Sequence, residues 1–187
     1  MTTMSESVAH PPTELDAGEV VLRVMTTNDW VLEQGLSHDP DVVRWTFYPE
    51  AMDRAAAVER VTFSVRQARA AHFQRYVIWH GDMAVGTCGV AHLDTPTPEI
   101  MYVLLPTARG NGWATMAAKA LANWTMDAGY SAVRLETVEG NTASEHVAQR
   151  AGFRQVSSTA DDHRGSPATI HLWQRDHPTA TASRQPR

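Results

Sequence analysis

The sequence predicts an α+β fold, a mixed and mostly antiparallel sheet of about seven strands flanked by helices. Three observations point there. The hydrophobic period switches repeatedly between two and 3.6 residues. Gly81-Asp82 joins two strand patterns as a tight hairpin. From Glu99 to Gly152, strand and helix patterns alternate, which requires crossovers in the second half of the sheet. At 187 residues with 43% hydrophobic, the chain can bury one proper core. That domain is expected over residues 18–175. Residues 1–17 and 176–187 read as flexible tails, too polar to order themselves.

Taken in order, EVVLRVM (Glu19–Met25) alternates loosely and reads as a strand. Thr26, Thr27 and Asn28 are cap-forming types before a short helix at Asp29–Ser37, and a helical turn follows at Pro40–Trp45. Asp53 opens a longer helix in which Val58, Val61, Val65, Ala68 and His72 form one stripe. RYVIWH and MAVGTCGVAHL are the two hairpin strands. EIMYVLL is another strand, ended by Pro106, which has no amide proton for a ladder. Trp113, Met116, Ala117, Ala120, Leu121 and Trp124 give the clearest amphipathic stripe, with Gly129 as its C-terminal cap. AVRLET is a strand, and Asn141 is a good N-cap for a helix from Thr142 to Ala151 that Gly152 ends. FRQVSST and ATIHLWQ close the domain as a hairpin around DDHRGSP.

Composition excludes several functions. A formal charge of −5 argues against general nucleic-acid binding, which needs basic surfaces. No segment approaches the ~18 apolar residues of a membrane span, and no basic region precedes an apolar one at the N-terminus, so a cytoplasmic location is expected. Cys88 is the single cysteine, which forbids an internal disulfide and a cysteine zinc cluster. The histidines lack metal-ligand spacing, so no metal is expected.

Chemistry concentrates in LLPTARGNGWA (Leu104–Ala114), two glycines between a strand and a helix. A Walker loop is excluded, because Lys119 is the only lysine and lies inside the helix. A dinucleotide fingerprint fits poorly, since Thr115 occupies its third glycine position, although Glu136 imitates its ribose-binding acid. An idle tight turn is the plain alternative.

The neighbours of this stretch change the weighing. ARGNGWA fits Arg-x-x-Gly-x-Ala and resembles the acyl-CoA loop of the GCN5-related N-acetyltransferases (GNAT). NTASEHVAQRAGF is similar to the second part of that family's signature, and EIMYVLLP to the strand that carries the acetyl-pantetheine arm. DPDVVRW and the early helices resemble the branch of ribosomal-protein alpha-amino acetyltransferases of RimJ/RimL type. Met101 departs from that branch, which often has glycine there.

The resemblance implies acetyl-CoA as co-substrate and an amine acceptor, either a peptide N-terminus or a small cationic amine. Val103, Leu104 and Leu105 would meet the pantetheine arm. Arg109, Gly110, Asn111, Gly112, Trp113 and Ala114 would wrap the diphosphate over the positive end of the following helix, where amides donate without bulk. Asn141 and Ser144 match cofactor-touching positions, and Ser144 is the candidate general acid, although both also serve as ordinary helix-start residues. Glu99 is the first candidate base and Asp161 the second. Trp45, Phe47 and Tyr48 are expected to wall the acceptor site, and Asp41, Glu50 and Asp53 hint at a cationic acceptor. The rival to catalysis is a non-catalytic acyl-CoA-binding sensor of the same fold. The oligomeric state is expected to be monomer or homodimer.

Overall fold

The structure, a computed structural model, describes residues 10–69 and 72–178. One sheet of eight strands runs through it. The strands are β1 (Glu14–Asp16), β2 (Val21–Val24), β3 (Phe73–His80), β4 (Met83–Ala91), β5 (Glu99–Leu104), β6 (Ala132–Val138), β7 (Arg154–His163) and β8 (Ser166–Asp176). Their spatial order is β1-β2-β3-β4-β5-β6-β8-β7, antiparallel throughout except where β5 meets β6. The helices are α1 (Trp30–Ser37), α2 (Pro40–Trp45), α3 (Arg54–Arg69), α4 (Trp113–Asp127) and α5 (Thr142–Arg150).

Each face of the sheet has its own core. Tyr76, Ile78, Cys88, Ile100 and Leu135 point into one cluster, which α4 and α5 cover. Val77 points the other way, to Leu36, Val42 and Val61 from α1, α2 and α3. Period-two alternation along β3 and β4 therefore serves two buried faces, and the polar residues among them need partners inside the protein.

Two expectations change. The eighth strand is β1, which lies inside the segment expected to be a tail. It needs little apolar content because its backbone is paired from Glu14 to Asp16 with β2, the Val24 amide donates to Thr13 O, and Tyr76 Oη donates to Pro12 O at 2.8 Å. At the other end, β8 runs through Asp176. The remainder of the expected tails, residues 1–9 and 179–187, lies outside the described residues.

The second change concerns α4. Its buried face is Trp113, Ala114, Ala117, Ala118, Leu121, Ala122, Thr125 and Met126, while Met116, Ala120 and Trp124 stand at the margin. The stripe turns by about one residue because the alanines, offering no bulk, let the helix axis come close to the sheet. Among the described residues, no helix is long and apolar enough to cross a membrane.

Candidate active site

β5 and β6 are paired at one position only, Glu99 opposite Arg134, where the Arg134 amide donates to Pro98 O at 2.9 Å. Beyond it the strands part. β4 holds β5 along its other edge, with the Leu105 amide donating to Val85 O at 3.0 Å. Antiparallel alternation then turns the backbone groups of Tyr102 and Leu104 towards the open seam and those of Val103 and Leu105 towards β4. Of the strand residues expected to meet a ligand by backbone, Leu104 faces the seam. The Leu105 amide is already used, and its side chain packs into the cores.

Two hollows open from the seam, of about 410 Å³ and 390 Å³. Both are lined by Trp45, Thr46, Tyr102, Val103, Asn141 and Ser144, so they are halves of one cleft. The first half reaches the loop after β5, with Gly110, Gly112 and Ala114 in its wall. Gly110 and Gly112 have φ of +84° and +80°, a left-handed backbone that side chains disfavour. A Cβ at either would meet no protein atom within 4 Å, so it would project into open space. Gly112 is the N-cap of α4 and gives no side-chain cap, and the helix has no acid in its first turn. Its leading amides and positive dipole end are therefore free to meet an anion.

Arg109 lines the first half and is exposed, but it is not free. It is ion-paired with Asp39 and, at 3.2 Å, with Asp41, both at the start of α2, and this ties the loop to that helix. Asn111 lines neither half; its amide donates to Ala108 O at 3.2 Å and shapes the turn. The Trp113 side chain is buried beneath the loop, stacked on His80 with ring centroids 4.4 Å apart.

At the junction stand Ser144 and Tyr102. Asn141 caps α5 by accepting from the Ser144 amide at 3.2 Å, which fixes the serine at the first turn. The hydroxyls of Ser144 and Tyr102 are 2.8 Å apart, and Tyr102 Oη also lies 3.1 Å from Ser144 O, to which it can donate. Burial pushes the Tyr102 phenol up to about 12, against the opposing effect of the Ser144 hydrogen bond, so it stays protonated at neutral pH. Tyr102 is absent from the sequence expectations. Its one signal is a lone hydroxyl within an apolar strand.

The second half contains Glu99 and Glu136 on the β5–β6 side and Tyr48, Arg60, Arg75 and Thr87 on the other. Glu99 is held above the usual carboxylate range, first by burial and then by Glu136. Asp161 lines neither half. It is exposed on β7 and accepts from the Asp162 amide at 2.7 Å. Of the expected aromatic wall, Trp45 borders both halves. Phe47 lines the second half, where it is exposed and packs on His163 with ring centroids 4.9 Å apart. Tyr48 is buried and belongs to the floor. The β7–β8 tip is pinned over this region, since Arg164 Nη1 donates to Thr46 O at 3.1 Å and to Tyr48 O at 3.0 Å. Asp41 is paired with Arg109, Asp53 caps α3 through the Ala56 amide, and Glu50 is exposed. None of these acids lines the second half.

Beneath Tyr48 lies a charged cluster that the sequence reading did not contain. Glu33 on α1 is fully buried. Its Oε2 accepts from Arg60 Nε at 2.6 Å, and its Oε1 accepts from Tyr48 Oη at 2.9 Å with Arg75 Nη2 at 3.4 Å. Arg75 Nη2 also donates to Tyr48 Oη and, at 3.1 Å, to Thr87 Oγ1. Tyr48 is raised above the ordinary phenol value, mainly by burial, and stays neutral. Among the described residues, no group of three or more His, Cys, Asp or Glu could hold a metal ion.

These features define an acyl-transfer fold. The model of the acetyltransferase (GNAT) domain matches residues 19–154, and the chain belongs to that family. Solved structures agree in fold. The chain is similar to RimL, a ribosomal L7/L12 alpha-N-protein acetyltransferase in complex with coenzyme A, at 16% identity and TM-score 0.80, covering 87% of this chain and 97% of that one. It is similar to the microcin C7 self-immunity acetyltransferase MccE, in complex with acetyl-CoA and AMP, at 17% identity and TM-score 0.80, covering 91% and 99%. A Salmonella typhimurium acetyltransferase that modifies the N-terminal serine of ribosomal protein L7/L12 matches at 14% identity and TM-score 0.76, covering 87% and 98%. No curated protein sequence gives a significant match.

Glu33→Gln leaves the buried guanidinium of Arg75 and the half-buried one of Arg60 without a carboxylate. It should destabilise the fold by about 3–5 kcal/mol, read as a lowered urea midpoint with an unchanged slope. A midpoint equal to wild type would show that the cluster is solvated.

Proposed function

We propose that the protein transfers the acetyl group of acetyl-CoA to a primary amine of a peptide N-terminus or small molecule, with both substrates in the one cleft. The observation that carries this reading is the junction, where the two halves meet at Tyr102, Asn141 and Ser144 beside an unpaired strand edge.

The first half suits coenzyme A. Its diphosphate would lie at the uncapped start of α4, over Gly110 and Gly112, and its pantetheine amides along the backbone of Tyr102 and Leu104. Arg109 serves by holding the loop in place through Asp39 and Asp41. The thioester supplies the acetyl group: a C–N bond forms to the amine, the C–S bond breaks, and the sulfur leaves as thiolate. Ser144, backed by Tyr102, supplies the proton that the thiolate takes. Glu99, directly or through water, accepts the proton that the amine gives up, and burial with Glu136 nearby raises its pKa, which makes it a stronger base than an ordinary carboxylate. An N-terminal amine with pKa near 8 is about a tenth neutral at pH 7, against about one part in a few thousand for lysine, so a modest base suffices.

The first test is release of free thiol from acetyl-CoA across a panel of peptides and small amines. Binding of acetyl-CoA without turnover on any of them would favour a sensor instead.

Gly112→Val and Gly112→Asn separate two uses of the glycine, because asparagine tolerates positive φ and valine does not. Both variants should weaken acetyl-CoA binding by about tenfold or more in calorimetry, since either side chain enters the space assigned to the diphosphate. Wild-type affinity in Gly112→Asn would reduce the glycine to a turn former.

Ser144→Ala and Tyr102→Phe should each lower kcat by roughly ten- to a hundredfold with little change in acetyl-CoA affinity, the serine variant more. Equal kcat in both variants and wild type would remove the pair from the chemistry.

The base must be ionised to act, and its pKa is raised, so kcat/KM should fall on acidification at a pH above the usual carboxylate range, about 4.3. In Glu99→Gln that limb should vanish and only the limb of the acceptor amine remain. A persisting lower limb would assign the base elsewhere.

A further inference from the structure

The floor of the second half carries positive charge that the transfer of an acetyl group to an amine does not require. Arg60 and Arg75 share the single carboxylate of Glu33, and the Tyr48 phenol between them is neutral. The cluster is therefore left with one uncompensated positive charge, beside an open cavity and within a buried environment that penalises it. Arg75 is 8% exposed, it lines the cavity, and its Nε has no hydrogen-bond partner within the protein. That Nε is itself shut off from the cavity, so what the cavity meets is the rest of the guanidinium, and an anion entering there would offset the uncompensated charge of Arg75 and Arg60.

We propose that the acceptor is an amine whose own molecule carries an anionic group, a carboxylate or a phosphate, held by Arg75 and Arg60 while the amine faces Glu99. This rests on the acetyltransferase reading of the same cleft and narrows its substrate class. The sheet supports the arrangement. Arg75 stands opposite Gly89, and Gly89 opposite Met101, two residues from Glu99. The guanidinium and the carboxylate thus rise from strands two spacings apart, about 10 Å, and Gly89 puts no side chain between them. Glu136 adds a second negative charge at the amine end. Thr87 Oγ1 and Tyr48 Oη, already bound to Arg75, present further polar atoms at the anion end. The polarity runs against the cationic acceptor that the chain's net acidity hints at, because the acids behind that hint lie outside this half.

The test compares matched acceptors on the full chain: phosphoethanolamine with ethanolamine, β-alanine with its amide, and peptides beginning Ser-Asp with peptides beginning Ser-Asn. A nearby anion makes an amine harder to deprotonate, so amine reactivity alone would favour the neutral members. The anionic member should nevertheless show kcat/KM higher by roughly tenfold in the small-molecule pairs or in the peptide pair, and the series that shows it identifies the source of the anion. Arg60→Gln leaves Glu33 and Arg75 paired one to one, and its side chain is 26% exposed, so the fold is spared. In that variant the preference should collapse through a raised KM for the anionic acceptor, so that kcat/KM for the two members of a pair converges. Arg75→Lys, which keeps the charge but loses the guanidinium edge, should weaken the preference also. Equal or reversed kcat/KM in all three pairs, with thiol release proceeding, overturns this proposal and leaves the acetyltransferase standing. Absence of acetyl-CoA binding by calorimetry overturns the reading beneath it.

Discussion

The parting of β5 and β6 is the feature on which the rest of the molecule depends. β6 is paired along its length with β8, and β5 along its length with β4, so the sheet is two antiparallel sections joined at one parallel bridge. Opening a sheet costs the ladder bonds that would have closed it, and buried amides and carbonyls need partners. The cost is tolerable because α4 spans both sections, filling the wedge beneath with alanines and Leu121. The opening leaves a strand edge at mid-sheet, flanked by a helix start on one side and by acids and arginines on the other. A ligand that pairs with the edge restores what folding left unmade.

Electrostatics explains why the two halves of the cleft differ. The first half presents main-chain amides and a helix dipole, with Arg150 at its rim, a setting suited to an anion. Arg109 could have supplied the charge directly, but Asp39 and Asp41 neutralise it and use it as a strut. The second half carries whole charges at both ends, with the Glu33 cluster at one and Glu99 and Glu136 at the other. A buried cluster of this kind contributes little to net stability compared with apolar packing, and its persistence is better understood from what it presents to the cavity.

Whatever is local in the chain is legible in the sequence. The α2 segment, the Gly81-Asp82 hairpin, the glycine loop and the Asn141–Ser144 cap are each set by neighbours a few residues apart, where period, turn chemistry and capping act directly. The cluster of Glu33, Tyr48, Arg60, Arg75 and Thr87 gathers residues from two helices, a loop and two strands. No spacing rule joins a buried glutamate to an arginine on a distant strand. Tyr102 escaped for the same reason, because its partner Ser144 is on another element. The β1 strand was missed because its order comes from backbone pairing, which composition does not register.

The glycine loop and the segment from Trp45 to Tyr48 are built as one mechanical unit. Arg109 joins the loop to the start of α2, and α2 ends at Trp45, which borders both halves. The segment after it carries Tyr48 into the Glu33 cluster, and Arg164 from the β7–β8 tip binds the carbonyls of Thr46 and Tyr48. A shift of the glycine loop when an anion meets the start of α4 would therefore be felt at Trp45 and Tyr48 through rigid, hydrogen-bonded elements rather than through a flexible linker. Under the proposed transfer, such coupling would favour order in binding: the half assigned to the diphosphate would set the wall against which the amine is placed, and orientation of the two reactants is what direct transfer needs most.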